Sequence, residues 1–309
     1  MKKIILVAGA TGNLGLRIAK ALVAKNVTVR ALVRSNSSAD KITSLEKLGV
    51  EICKVDDWSI DEIKSHCFGV SCVVSVLAGL RDVVIDSQKV LLDAAIAAGV
   101  PRFIPSDYSL DFTKFSNGEN RNLDLRREFH AYLDKCPIAS TSIFNGAFME
   151  LLLDEMPMIV FNKKIVIYWG NADYKWGFTT MDNTAEFTSN VALDDNSPRY
   201  LRIAGDMISP REVRSVISEI TGTKYRLIRI GGQGLLGFFI KMARMFSPGE
   251  KELYPAWQGM QYMHNMIDDR SKIEVLNNDR YAGIHWTSVS ELLQPSFIVN
   301  QKSNILYDF

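Results

Sequence analysis

Ile4-Ile5-Leu6-Val7-Ala8-Gly9-Ala10-Thr11-Gly12-Asn13-Leu14-Gly15 is the stretch whose reading decides the fold. It opens as an unbroken apolar run, the pattern of a strand buried on both faces of a parallel sheet. It then passes through three glycines spaced Gly-x-x-Gly-x-x-Gly and enters a helical pattern carried by Leu14, Ile18, Ala21 and Leu22. In such a turn one glycine permits the tight reversal, one lets the backbone approach a pyrophosphate, and one lets helix and strand pack closely. The free N–H groups and positive dipole end of the helix then face the phosphates. A glycine-rich turn alone is a weak signal, but this one follows a strand and opens a helix, the context the motif requires. Gly9, Thr11, Gly12, Asn13, Leu14 and Gly15 are therefore the expected dinucleotide cradle.

Working outward, Val27 to Val33 reads as a second strand ending at Arg34. An NAD-binding protein carries an acid about twenty residues beyond the glycine turn, for the ribose 2′-hydroxyl. Arginine stands there instead, with Ser35 and Ser37 beside it and no acid before Asp40. That combination suits a 2′-phosphate, so NADP(H) is favoured over NAD(H). A helix around Asp40 to Leu48 leads to a third strand, Val50 to Val55, ending in Asp56-Asp57-Trp58. Asp56 reads either as a neighbour of the adenine amino group or as an N-cap of the next helix. Val70 to Val76 is a fourth strand running into Leu77-Ala78-Gly79, and Val83 to Ala98 a long helix stopped by Gly99. Arg102 to Pro105 is a fifth strand, a helix follows the polar turn Asn117 to Asn122, and Ile138 to Phe144 is a sixth strand ending Asn145-Gly146-Ala147-Phe148. Strands and helices alternating in this way predict an α/β Rossmann domain, a doubly wound parallel sheet, over residues 1–150.

Beyond Met149 the alternation loosens, and residues 151–309 read as a smaller mixed lobe for a substrate or partner, some segments of which rejoin the first sheet. Lys164 to Trp169 and Tyr225 to Ile230 are strand patterns. Asn183 to Leu193 is a helix with an Asn183–Glu186 capping box, and Ser209-Pro210-Arg211-Glu212 and Ser288-x-x-Glu291 are further boxes. Leu235 to Phe246, then Trp257, Met260, Tyr262, Met263 and Met266, form a Met- and aromatic-rich stripe. Its plain reading is lobe core; the functional one is an adaptable lid over a flat apolar substrate. A membrane-surface helix ranks well behind both: Lys241 and Arg244 would suit it, but the basic face is thin.

Bulk properties narrow the choice. The 309 residues are 47% hydrophobic and 23% charged, with a formal net charge of +1, as in an ordinary globular chain with no bias toward nucleic acid. Cys53, Cys67, Cys72 and Cys136 have neither zinc spacing nor a secreted framework, so no metal is expected and free thiols in a cytoplasmic protein are. The first apolar run leads straight into the glycine turn, which does not fit a signal peptide, and no uninterrupted apolar run is long enough for a membrane span.

Together these residues resemble the NmrA-like, isoflavone-reductase-like branch of the atypical short-chain dehydrogenase/reductases. The resemblance rests on Gly9 to Gly15, the Leu32-Val33-Arg34 strand end, Gly99-Val100-Pro101-Arg102-Phe103-Ile104, Leu125-Arg126-Arg127 and Asn145-Gly146-Ala147-Phe148. It implies NADP(H) in an extended pose, with Arg34 at the 2′-phosphate, Leu77 and Ala78 near the ribose, and Asn145 and Phe148 near the nicotinamide.

Hydride transfer needs geometry and a group to protonate the resulting oxygen. The Tyr-x-x-x-Lys pair usual in short-chain dehydrogenases is absent, since no tyrosine has lysine four residues on. The resemblance further implies a lysine early in the Leu125-Arg126-Arg127 helix, and alignment puts Asn122 there. Asparagine donates a hydrogen bond but gives up no proton at neutral pH. Tyr108 and Lys114 in the neighbouring loop are the substitutes. His66, His130, His264 and His285 sit in no nucleophile motif and read as structural. The sequence supports an NADPH-dependent oxidoreductase on a small apolar or aromatic carbonyl, quinone or ether-type substrate. The alternative is a cofactor-sensing regulator that binds a protein partner without turnover; a sugar-nucleotide epimerase relative is disfavoured by the missing tyrosine–lysine pair.

Overall fold

A computed structural model describes residues 2–294 apart from 154, 155 and 248; the rest of the expected second lobe, 295–309, lies outside the described residues. Its first half alternates strand and helix: β1 (Ile4–Ala8), α1 (Asn13–Ala24), β2 (Thr28–Arg34), α2 (Ala39–Lys47), β3 (Glu51–Val55), α3 (Ile60–Cys67), β4 (Cys72–Ser75), α4 (Gln88–Ala97), β5 (Arg102–Ile104), α5 (Arg121–Leu133) and β6 (Ala139–Ser140). The strands form one parallel sheet in the order β3-β2-β1-β4-β5-β6. The chain winds outward from β1 in one direction and from β4 in the other, so the sheet opens a crevice at the carboxyl ends of β1 and β4.

The apolar run of β1 has the expected cause. Ile5 and Val7 pack with Ile18, Leu22 and Phe187 on one face, while Leu6 and Ala8 pack with Ile63, Leu91 and Phe129 on the other. With helices on both faces, successive residues are buried on opposite sides and no position is left for a polar side chain.

After β6 come β7 (Ser142–Phe144), β8 (Ala147–Phe148), β9 (Ile159–Val160), β10 (Ile165–Trp169), β11 (Trp176–Thr179), α6 (Met181–Leu193), β12 (Tyr200–Arg202), β13 (Asp206–Ile208), α7 (Pro210–Thr221), β14 (Arg226–Gly231), α8 (Gln233–Phe246), α9 (Ala256–Met266) and α10 (Val289–Leu292). β6 and β7 are two halves of one line of chain. Thr141 donates back to Phe103 of β5 at 3.1 Å, and Ser142 donates outward to Arg199 at 2.8 Å. β12 thereby pairs in parallel with β7 and carries the sheet one strand further. α6 covers the same face as α1, so the first core draws on residues well beyond 150. Two small three-stranded sheets, β14-β10-β9 and β13-β11-β8, build the remainder around Trp176, Phe178, Val213 and Met266.

Three local readings are corrected. The helix read from Asn183 begins at Met181 and its cap is Thr180, whose Oγ1 accepts from the Asn183 N–H at 3.1 Å. The Asn183 amide is spent elsewhere, on the His285 carbonyl and the Thr287 N–H. The helix read from Val83 starts with a π-helical turn, Asp82–Ser87, before the α-helix of α4. Buried Gln88 follows it, donating to the Val84 carbonyl and accepting from the Ser106 N–H, a tie between α4 and β5. Finally, α5 starts within the stretch read as a turn, because Asn120 caps it through the N–H groups of Asn122 and Leu123. The Ser209 and Ser288 boxes are present in both of their hydrogen bonds, and Gly99 sits in the left-handed region with φ +75.

Candidate functional site

The glycine turn between β1 and α1 is built by close contacts. Gly9 has φ +87, and a Cβ there would lie 2.6 Å from the Val76 carbonyl oxygen. A Cβ on Gly15 would lie 2.2 Å from the Gly9 oxygen and 2.8 Å from Ala10 Cα, both backbone atoms. These two glycines are demanded by the packing of the turn on β4 and on α1. Gly12 differs. It is exposed, has an ordinary φ of −83, and its Cβ would meet Gly9 oxygen only at 3.4 Å. α1 starts with no capping side chain and no acid in its first turn, so its amino end presents bare N–H groups and a positive dipole. Thr11 and Leu14 flank that end, and the Asn13 side chain turns along the helix to accept from Arg17 Nε at 2.8 Å.

At the end of β2, Arg34 is exposed and makes no ion pair among the described residues; its guanidinium sits 5.5 Å over the Trp58 ring. Ser35 hydroxyl donates to the Asp56 carboxylate. Asp56 is no cap for α3: the cap position is Ser59, and the Glu62 carboxylate accepts from the Asp56 and Asp57 N–H groups at 3.0 and 2.7 Å. Trp58 was not singled out from the sequence, although it stands next to the Asp56-Asp57 pair at the end of β3.

Past β4, Leu77 is buried and Ala78 exposed. Past β7, Asn145 is fully buried, and neither its amide oxygen nor its amide nitrogen has a partner among the described residues. Its carbonyl accepts from Thr179 Oγ1 at 2.6 Å. Gly146, at φ +68, lets Gly177 of β11 approach so closely that a Cβ would lie 2.2 Å from its oxygen. Phe148 is half-buried on β8. A buried amide with unspent donors and acceptor is the kind of group a carboxamide-bearing ligand satisfies. With the uncapped helix end and the unpaired guanidinium, the residues present fit an NADP-type dinucleotide laid along the carboxyl edge.

Tyr108, Lys114 and Asn122 occupy three separate environments. Tyr108 is buried in the α1–α6 core beside Thr188, and burial raises its hydroxyl pKa strongly. Lys114 is exposed and donates to the Lys272 carbonyl at 2.7 Å. Asn122 is buried, donating to the Leu253 carbonyl at 3.2 Å and accepting from Arg121 Nε at 3.0 Å. The histidine that matters structurally is His130. Its Nε2 lies 2.7 Å from the Asp107 carboxylate and its Nδ1 3.2 Å from Arg199, which also donates to Ser142. Burial opposes charge on Asp107, but the His130 contact and the Ser142 hydroxyl outweigh it, and the carboxyl pKa falls below the ordinary value. This network fixes the carboxyl end of β5 against α5. A small cleft beside it is lined by Phe144, Gly146, Trp176, Arg202, Met266 and Ile273. A wider hollow near Lys3, Gly69 and Pro101 lies at the opposite, amino edge of the sheet, away from the glycine turn.

The family model described as NmrA-like matches residues 1–287. The chain belongs to the NmrA-like family. This NmrA-like chain is 29% identical over 231 residues to the oxidoreductase aprR of Aspergillus flavus, covering 72% of this chain and 75% of that one. A crystal structure of isoflavone reductase superposes with a TM-score of 0.79 at 17% identity, covering 95% of this chain and 99% of the other. The structure of AtPrR2 with NADP+ and (+)pinoresinol gives 0.80 at 21%, covering 96% and 99%. At those identities the likeness is one of fold, and it spans both the parallel sheet and the later lobe of the NmrA-like chain. Among the described residues no helix is long and apolar enough to cross a membrane.

Proposed function

We propose that this NmrA-like protein binds NADP(H) and is an oxidoreductase for a small apolar or aromatic substrate, a quinone or aromatic carbonyl foremost. The observation that carries the reading is the pairing of an uncapped α1 amino end with an exposed Arg34 that no acid neutralises among the described residues. The backbone from Gly12 to Gly15 would hold the diphosphate and Arg34 the 2′-phosphate, with Trp58 supporting the guanidinium from below. Asp56 would border the adenine, Leu77 and Ala78 the ribose, and Asn145 the carboxamide. The bound nicotinamide supplies a hydride to the substrate. That the structure of AtPrR2 holds NADP+ with an aromatic substrate on the same fold supports this reading.

The chain's own contribution to the chemistry is positioning and exclusion of water at the carboxyl edge. Asn122 and Lys114 would each have to give up a backbone carbonyl to reach a substrate, and the Tyr108 proton is held tightly by burial. A substrate whose reduced oxygen is only weakly basic, such as a quinone, needs no strong acid from the protein. Following loss of NADPH absorbance with a panel of quinones and aromatic carbonyls tests this. Micromolar cofactor binding without turnover on any of them would leave the regulator reading, which the hydrogen-bonded state of Asn122 favours. A partner whose affinity changes with cofactor would then establish that reading.

A further inference from the structure

α8 is amphipathic twice over. Its inner side carries Leu236, buried in the fold. Its outer side carries a second apolar stripe at helical spacing, Leu235, Phe238, Phe239, Met245 and Phe246. Phe238 is 54% exposed and Phe246 73%, values far from those of core aromatics. The stripe continues onto the neighbouring sheet, where Phe239 stacks edge-on against Trp169 of β10 with centroids 6.1 Å apart and Ile230 of β14 is also exposed. An apolar surface of this extent on one side of a protein marks an interaction site.

Charge identifies the occupant. From Ile220 to Gly249 the chain holds Lys224, Arg226, Arg229, Lys241 and Arg244 and no acid. The turn before β10 adds exposed Lys163 and Lys164, again with no acid between Pro157 and Ala172. None of the seven makes an ion pair among the described residues. Asp268, which accepts from Gln233 at the start of α8, is matched by Arg270. The net charge of the whole chain is only +1, so this face concentrates positive charge that is balanced elsewhere. A symmetric dimer through the stripe would set one basic rim against another. A surface both apolar and negatively charged satisfies the two features together.

We propose that the α8–β14 face seats the protein on anionic lipid bilayers, with Phe238, Phe239 and Phe246 entering the acyl boundary and the basic rim meeting the headgroups. The proposal is independent of the redox reading. The helix alone looks too thinly basic for this role; β14 extends the charge, with Arg229 lying against Gly232 at the start of α8 and Arg226 bonded to Lys164 further along the sheet.

The test is co-sedimentation of the full chain with phosphatidylcholine vesicles, with and without phosphatidylglycerol. Binding is expected on the phosphatidylglycerol vesicles and to weaken as salt is raised. Lys241→Glu with Arg226→Glu should lower the partition coefficient by at least about tenfold, each basic group near the surface contributing roughly fivefold. Phe238→Ser with Phe246→Ser should lower it about tenfold or more while retaining the salt dependence. All four positions are exposed, and unchanged melting checks that the variants fold. Absence of binding to phosphatidylglycerol vesicles at low salt overturns the proposal, as does equal binding to neutral vesicles that neither pair of substitutions changes. Light scattering that shows a dimer broken by the phenylalanine pair would assign the face to a second copy and overturn it too.

Discussion

Gly15→Ala and Gly12→Ala separate the two demands placed on the glycine turn. At Gly15 the new methyl would stand 2.2 Å from the Gly9 oxygen, and reaching ordinary contact at 3.4 Å requires α1 to withdraw by about 1.2 Å. Overpacking of this kind costs about 1–3 kcal/mol, offset by about 1 kcal/mol of helix propensity gained on replacing glycine. Because the atoms met are backbone and cannot turn aside, the upper end of that cost applies and a net destabilisation of about 2 kcal/mol follows. The same withdrawal carries the first N–H groups of α1 away from a diphosphate. Losing one or two charge-assisted hydrogen bonds, worth about 1.5–3 kcal/mol each, weakens cofactor binding by about a hundredfold. At Gly12 the methyl meets Gly9 only at 3.4 Å and φ −83 suits alanine. Stability should stay within about 0.5 kcal/mol, the loss of chain entropy in the unfolded state being opposed by alanine's poorer capping. The methyl nevertheless occupies the exposed side that the diphosphate must approach, so binding should fall about tenfold or more. Calorimetric titration with NADPH and urea unfolding read the two quantities. A Gly12→Ala protein that binds NADPH as tightly as the parent would refute the assignment of the diphosphate to this loop. A Gly15→Ala protein of unchanged stability would refute the packing argument.

Arg34→Ala should weaken NADPH about tenfold to a hundredfold while leaving NADH within about twofold, read by titration of both dinucleotides, because only the 2′-phosphate loses its partner. Glu150, whose Oε1 accepts from the Met181 N–H at 2.8 Å, has its pKa pushed up by burial from 4.5 to about 7. The folded state therefore keeps this proton where the unfolded chain has lost it. Stability should decline as pH rises from about 4.5 to about 7 and then level, and Glu150→Gln should remove that decline from the melting profile. Asp107→Ala leaves His130 Nε2 without its buried hydrogen-bond partner and should cost about 1.5–3 kcal/mol in urea unfolding.

Much of the first half is legible in the sequence because its elements are local. A strand buried on both faces must be apolar throughout, and Gly15 is needed by contacts with Gly9 and Ala10, close in the chain, although Gly9 itself answers to Val76 on the next strand of the sheet. Strand and helix limits from β1 to β5 follow for the same reason, to within a residue or two in most cases. What stays hidden is set at a distance. Trp58 under Arg34 and the Gln88–Ser106 tie join residues whose proximity exists only after the sheet has formed. The start of α6 is misread because Thr180 and Asn183 are both good caps, and only the demands of His285 and Thr287 on the Asn183 amide decide between them. The candidate donors show the same limit: Asn122 can be read as inward-pointing, but its partner Leu253 lies 131 residues away. The stripe on α8 and α9 divides for a related reason. Trp257 and Met266 are buried as core, whereas no element among the described residues covers the outer side of α8.

The late arrival of α6 and β12 has a bearing on how the protein is made. Phe187 and Val191 of α6 close one face of β1, and Leu201 of β12 joins the same cluster. A nascent chain that has just released its glycine turn cannot finish the domain around it until about residue 204 has left the ribosome, since contacts so distant in sequence form slowly. Until then the Ile5–Val7 side of the sheet is covered only in part, by α1 and α2, and that interval is when chaperone capture and aggregation compete most directly with folding.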